Sequence, residues 1–148
     1  MVHALLEIWR VLASASQGTL IDLRPIHENP PLAVVTAAGR HSVGYVVDES
    51  GGADDRAADE AMAGVVRRGY FTAKMRDSFE FAAYWETLPE LLDYADKRWR
   101  GKKHLPPQVL DLVRKYINQS DGRARISLTN TIQLAVYQKM KSPSDRSS

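Results

Sequence analysis

Leu5-Leu6-Glu7-Ile8-Trp9-Arg10-Val11-Leu12, a turn of small residues, then Thr19-Leu20-Ile21-Asp22-Leu23-Arg24-Pro25: this change from one periodicity to another decides the class of fold. Leu5, Ile8 and Leu12 recur at helical spacing, and Leu6, Trp9 and Val11 broaden the apolar stripe, which predicts a helix over Val2–Leu12. Ala13-Ser14-Ala15-Ser16-Gln17-Gly18 carries no such period, and Gly18 suits a turn. Thr19–Arg24 is a short, mostly apolar run that reads as a strand, ended by Pro25, which has no N–H to give to a ladder.

Outward from that passage, Ile26-His27-Glu28-Asn29-Pro30-Pro31 reads as loop, because its prolines cannot continue a sheet. Strands are expected at Leu32–Thr36 and Ser42–Asp48, joined as a hairpin through Ala37–His41. Asp54 and Asp55 can cap and charge a helix that runs to about Arg68 and stops at Gly69. Phe71–Phe81 reads as extended. Thr87 with Glu90 three residues on forms a capping box for a helix to about Trp99. Pro106 or Pro107 opens a helix ending near Gln119. A closing hairpin is expected from Ala124–Leu128 and Ile132–Lys139, with Thr129-Asn130-Thr131 as its turn. The expected fold is α/β (α+β-like), a small mixed sheet with an inserted hairpin and about four helices. The expected organisation is one domain over residues 1–141 and a polar, disordered tail over 142–148.

Composition narrows the function classes. The chain has 148 residues, 44% of them hydrophobic, enough for a core, and no cysteine, which excludes a disulfide scaffold and a thiolate metal site. The N-terminus lacks the basic and apolar regions of a signal peptide, and no apolar run approaches the roughly 20 residues that cross a bilayer. A cytoplasmic protein with no membrane partner is expected. Charge is unevenly spread: Asp48–Asp96 holds 12 acidic and 5 basic residues, whereas the chain from Lys97 onward holds 12 basic and 3 acidic ones. Solvated or mutually attracting faces account for that split, and an anionic partner for the basic part is the sharper reading.

The motifs that carry chemistry are incomplete. Gly51-Gly52 stands where a phosphate loop would, but Asp54, Asp55 and Asp59 repel an anion there. His3, His27, His41 and His104 share no ligand spacing. Lys97, Arg98, Arg100, Lys102 and Lys103 interleave with Trp99 and are candidate anion-binding residues. The plainer reading has Trp99 packed on the helix face of Leu92 and Ala95, with the cations complementing the helix C-terminus. Any nucleic-acid binding is expected to be weak and nonspecific, for no reading module accompanies the charge. Phe79-Glu80-Phe81-Ala82-Ala83-Tyr84-Trp85 is an aromatic cluster suited to core packing, or to lining an apolar pocket through Tyr84 and Trp85.

The opening passage also resembles a known family. A helix ending in Arg10-Val11-Leu12, a Gly-containing turn and the strand Thr19–Pro25 are similar to the region before and through the fifth strand of class I S-adenosylmethionine-dependent methyltransferases; Ile126–Lys139 is loosely similar to their closing strands. The family's Gly-rich loop after strand one and acidic residue after strand two have no counterpart here, so the resemblance implies no cofactor. It places Arg24 and His27 on the substrate side, as candidate pocket residues with Tyr84 and Trp85. It also implies that Thr19–Arg24 lacks one of its two sheet neighbours. The strand has no lysine or internal proline to blunt an edge, which predicts a homodimer, the competing solution being a monomer in which the hairpin Leu32–Thr36 with Ser42–Asp48 folds back onto the vacant place. The first functional expectation is a non-catalytic methyltransferase-like module that binds a protein or a small ligand. The alternatives are the substrate-side subunit of a split methyltransferase, active only with a partner that supplies the cofactor site, and a weak nucleic-acid binder.

Overall fold

The computed structural model describes residues 2–12, 18–26, 28–120 and 122–141. In chain order its elements are α1 (Val2–Val11), β1 (Thr19–Pro25), β2 (Pro31–Thr36), β3 (Gly39–Tyr45), β4 (Val47–Asp48), α2 (Ala53–Arg67), β5 (Phe71–Trp85), α3 (Leu88–Trp99), β6 (Lys103–His104), α4 (Pro107–Gln119) and β7 (Arg125–Lys139). The α/β class holds: four helices accompany an antiparallel sheet of five strands and a separate pair, β4 with β6. Contacts gather into two compact units, each assembled from segments far apart in sequence. The expected tail at 142–148 lies outside the described residues.

One unit comprises residues 1–26, 52–79 and 132–148. Its core is Met62, Val65, Phe71, Ala135 and Tyr137, closed by Leu5, Leu6, Ile8, Trp9 and Leu12 of the α1 segment and Leu20 of β1. The helical stripe read from sequence is therefore the face that α1 turns to this core, except for Val11, which is exposed. Lys139 locks this helix to the sheet. Its Nζ donates to the Leu12 carbonyl at 2.8 Å and stands 4.7 Å from the Trp9 ring, while Trp9 Nε1 donates to the Met140 carbonyl at 3.1 Å. A cation at a helix C-terminus also meets the negative end of the dipole. Helix α2 starts after Gly52, which serves as N-cap with φ 70°, so Asp54 and Asp55 charge the first turn without capping it. It stops at Gly69, φ 77°, as the sequence implies. β1 pairs antiparallel with β7 from Thr19↔Gln138 to Pro25↔Ile132.

The other unit comprises residues 27–51 and 80–131. β2 and β3 form the expected hairpin, but its turn is only Ala37-Ala38, because Gly39 enters β3 with φ 131°. A bulge between Leu32 and Ala33 shifts the register, and β2 continues the ladder onto Leu128–Arg125 of β7. Helix α4 packs on β2 and β3, with Val109 and Val113 set among Leu32, Val34, Val43, Val46, Leu91, Ile126 and Leu128. The Thr87 half of the capping box forms, Glu90 N donating to Thr87 Oγ1 at 3.3 Å, while Glu90 Oε2 accepts at 3.1 Å from the Glu86 amide, one residue before the N-cap. Helix α3 ends where Arg100 and Gly101 both take positive φ.

Two expectations give way. The closing hairpin is one continuous strand, Arg125–Lys139. Thr129 and Thr131 favour extended backbone, and no glycine stands between them to turn it. The aromatic cluster is not uniformly core: Trp85 packs against the core, but Phe79, Phe81 and Tyr84 are exposed.

The pair β4–β6 sets Asp48 beside Lys103 at 3.5 Å, with the Ser50 amide and hydroxyl donating to Asp48 Oδ1 at 2.9 and 2.6 Å. Burial works to raise this carboxyl, but the Ser50 bonds and the Lys103 charge outweigh it and hold it below the usual aspartate range. A depressed folded value contributes stability above the unfolded pKa, lost as pH falls through the folded value. Asp48→Asn is therefore expected to lower the melting temperature at neutral pH, with the gap to the parent closing as the pH drops below about 3.8, the ordinary aspartate value. Thermal melts across that acidic range check it, and a gap independent of pH would contradict it.

Candidate interaction surface

Strand β1 ends the strand order of the sheet, with β7 on one side. The parity of its ladder fixes which backbone groups face outward. The Lys139 amide donates to the Gly18 carbonyl at 2.7 Å, one step beyond the Thr19↔Gln138 pair. In an antiparallel ladder such bonded pairs alternate with unbonded ones. Leu20, Asp22 and Arg24 thus turn their N–H and C=O groups to β7, and Ile21 and Leu23 turn theirs away. Among the described residues nothing receives those outward groups. The side chains of the same two residues are 61% and 57% exposed. An apolar strand edge with open hydrogen-bonding groups is the feature that natural sheets usually blunt with lysine, proline or a bulge.

The opposite face of β1 is occupied. Arg24 Nε and Nη2 each donate to a carboxylate oxygen of Asp22 at 2.8 Å; Nη2 also reaches Asp59 Oδ1 at 2.7 Å, and Nη1 the Asp55 carbonyl at 3.3 Å. Burial works to lower the Arg24 pKa, but the Asp22 and Asp59 bonds outweigh it and hold the guanidinium proton more firmly than usual. Arg24 thus ties β1 to α2 through bonds to its own chain. It borders a small, mostly apolar cavity of about 220 Å³ with Leu5, Leu20, Ala58 and Met62. His27 lies outside the described residues.

Tyr84 is exposed and its neighbour Trp85 half-buried, since successive strand residues point to opposite faces. Trp85 stacks obliquely on Tyr94 at 5.1 Å, and Tyr94 meets Trp99 edge-on at 6.3 Å. Trp99 packs against the core as expected, but on the face of Leu88 and Leu91; Leu92 is exposed. Lys97, Arg98, Arg100 and Lys102 surround Trp99 in a shallow cavity of about 530 Å³. Lys97 is already bonded to Asp93 at 2.8 Å, and Lys103 turns to Asp48.

A cavity of about 620 Å³ escaped the sequence reading. Thr36, His41, Tyr116, Gln119, Ser120 and Arg123 border it, with the His41 ring stacked on Tyr116 at 4.5 Å and its Nε2 3.2 Å from Thr36 Oγ1. These residues come from a hairpin and a helix far apart in the chain, so no local spacing could have joined them. Among the described residues no cluster of His, Asp or Glu could hold a metal, and no helix is long and apolar enough to cross a membrane. No family model, curated protein or solved structure matches the chain.

Proposed function

We propose that the chain is a non-catalytic, methyltransferase-like interaction module that takes up a protein partner by strand addition at β1. The observation that carries this reading is the coincidence, at Ile21 and Leu23, of outward backbone groups and exposed apolar side chains. Main-chain hydrogen bonds then provide affinity, and the side chains at those two positions provide selectivity. The methyltransferase-like part draws on α1 running into β1, as the resemblance implies, and on β1 lying beside the closing strand β7. The free edge is also where the resemblance calls for a missing strand. That favours, as a second reading, a partner that carries the cofactor half and completes the sheet there.

Residue-resolved hydrogen exchange tests the module. In chain diluted until light scattering reports monomer, the Leu20, Asp22 and Arg24 amides should be protected and those of Ile21 and Leu23 should exchange freely. Protection of all five would show the edge to be covered within the chain. Calorimetry with S-adenosylmethionine separates the two readings of the site. The isolated chain should show no stoichiometric binding tighter than about 100 μM, roughly 5.5 kcal/mol. Methyl transfer that appears only on mixing with a cofactor-binding chain would favour the split enzyme.

A further inference from the structure

We infer that the occupant of the β1 edge is a second copy of this chain, paired antiparallel along β1 about a two-fold axis at Leu23; this rests on the strand-addition reading. A two-fold copy presents the same outward backbone groups and the same apolar face, so the edge is its own complement. Directly opposed residues in an antiparallel pair share one face, so only registers centred on a residue keep the faces continuous. Centring on Asp22 would set that carboxylate against its own copy, and like charges directly opposed destabilise a pair. Centring on Ile21 would set Leu20 against Asp22 of the second copy, an apolar residue against a charge. Centring on Leu23 sets Asp22 against Arg24 of the second copy, and Arg24 against Asp22 of the second copy. The charges that already alternate along one strand, Arg24 bonded to both oxygens of Asp22, then alternate across the interface as well.

The same register pairs most of the open backbone. Leu23 exchanges both of its hydrogen bonds with Leu23 of the second copy. The Ile21 amide donates to the Pro25 carbonyl of the second copy, and the Ile21 carbonyl, which faces a proline nitrogen with no N–H, is left to solvent at the end of the ladder. Ile21, Leu23 and Pro25 of both copies come together on the exposed face of β1, where the burial pattern marks all three as exposed in the single chain.

The absence of cysteine makes the register directly testable. Hydrogen-bonded antiparallel partners hold their Cα atoms about 5.5 Å apart, inside the roughly 4.4–6.8 Å span of a disulfide. Under mild oxidation Leu23→Cys is expected to give a disulfide-linked dimer, while Asp22→Cys and Ile21→Cys, displaced along the strand from their own copies, are not. Light scattering of the unmodified chain at micromolar concentration should give twice 16.6 kDa. Ile21→Lys should bring it back to the single mass with its circular dichroism unchanged. A monomer at all micromolar concentrations overturns the inference. So does cross-linking of Ile21→Cys or Asp22→Cys in place of Leu23→Cys. A monomer whose Ile21 and Leu23 amides exchange freely would leave the module standing with a different partner; one whose amides are protected would remove both readings.

Discussion

Replacing Gly44 by alanine is expected to lower stability by about 2–6 kcal/mol, read from urea unfolding. Two costs combine. Gly44 sits in β3 with φ 128°, a conformation that side chains rarely adopt, and holding a substituted residue there costs of order 1–3 kcal/mol. The added Cβ would also lie 2.8 Å from Cγ2 of Val109, closer than side chains approach one another. Val109 is 4% exposed and wedged on α4, so it has no room to retreat, and overpacking of this kind costs about 1–3 kcal/mol. Gly39 separates the two costs, for its φ is 131° but a Cβ there would meet nothing. Gly39→Ala should show the backbone cost alone. Adding Val109→Ala to Gly44→Ala should recover part of the loss despite deleting core methyls, a coupling that a double-mutant cycle measures. Equal costs at Gly39 and Gly44, with no coupling to Val109, would mean that contact with α4 plays no part.

Gly44 also marks where sequence reading stops. The helices were legible because each has a local signal: the stripe Leu5–Ile8–Leu12, the Thr87–Glu90 box, Gly69 as a stop and Pro107 as a start. The strand Thr19–Pro25 and its open edge were legible for the same reason, since neither lysine nor internal proline interrupts it. What failed needed the third dimension. Thr129-Asn130-Thr131 looked like a turn between two strand patterns, but a threonine–asparagine–threonine run accepts extended backbone, so β7 passes straight through. The boundary between the two units falls inside that strand, between Thr131 and Ile132, where no change of composition announces it. Arg24 read as a pocket residue and does border a cavity, but the bonds from its guanidinium to Asp22, Asp59 and a helix carbonyl were not legible, since only the fold brings α2 to it. The pairing of His41 with Tyr116 was invisible for the same reason. The candidate surface itself was half legible: the apolar edge could be read, but which backbone groups point outward follows from ladder parity alone.

Phe71→Ala is expected to cost about 3–5 kcal/mol, the range for deleting a fully buried aromatic side chain. Phe71 opens β5 and is 1% exposed, enclosed by Met62, Val65, Ala135 and Tyr137. Those neighbours belong to α2 and β7, two elements held by other bonds as well, so the walls cannot collapse into the space. α2 is tied to β1 through Arg24–Asp59, and β7 to β1 along the ladder from Thr19 to Pro25. A void that cannot close forfeits dispersion contacts on every side, which puts the loss at the upper part of the range. Phe71→Leu, which keeps most of the volume, should cost far less, about 1.5 kcal/mol or under. The same unit carries β1, so the comparison also bears on the interaction surface. If Phe71→Leu folds fully and still dimerises while Phe71→Ala at equal concentration is part unfolded and part monomer, loss of pairing follows loss of the core that presents the strand. Urea unfolding of both variants, read with their masses, decides it. A Phe71→Ala chain as stable as the parent would mean that this ring is not the centre of the α1–α2 core.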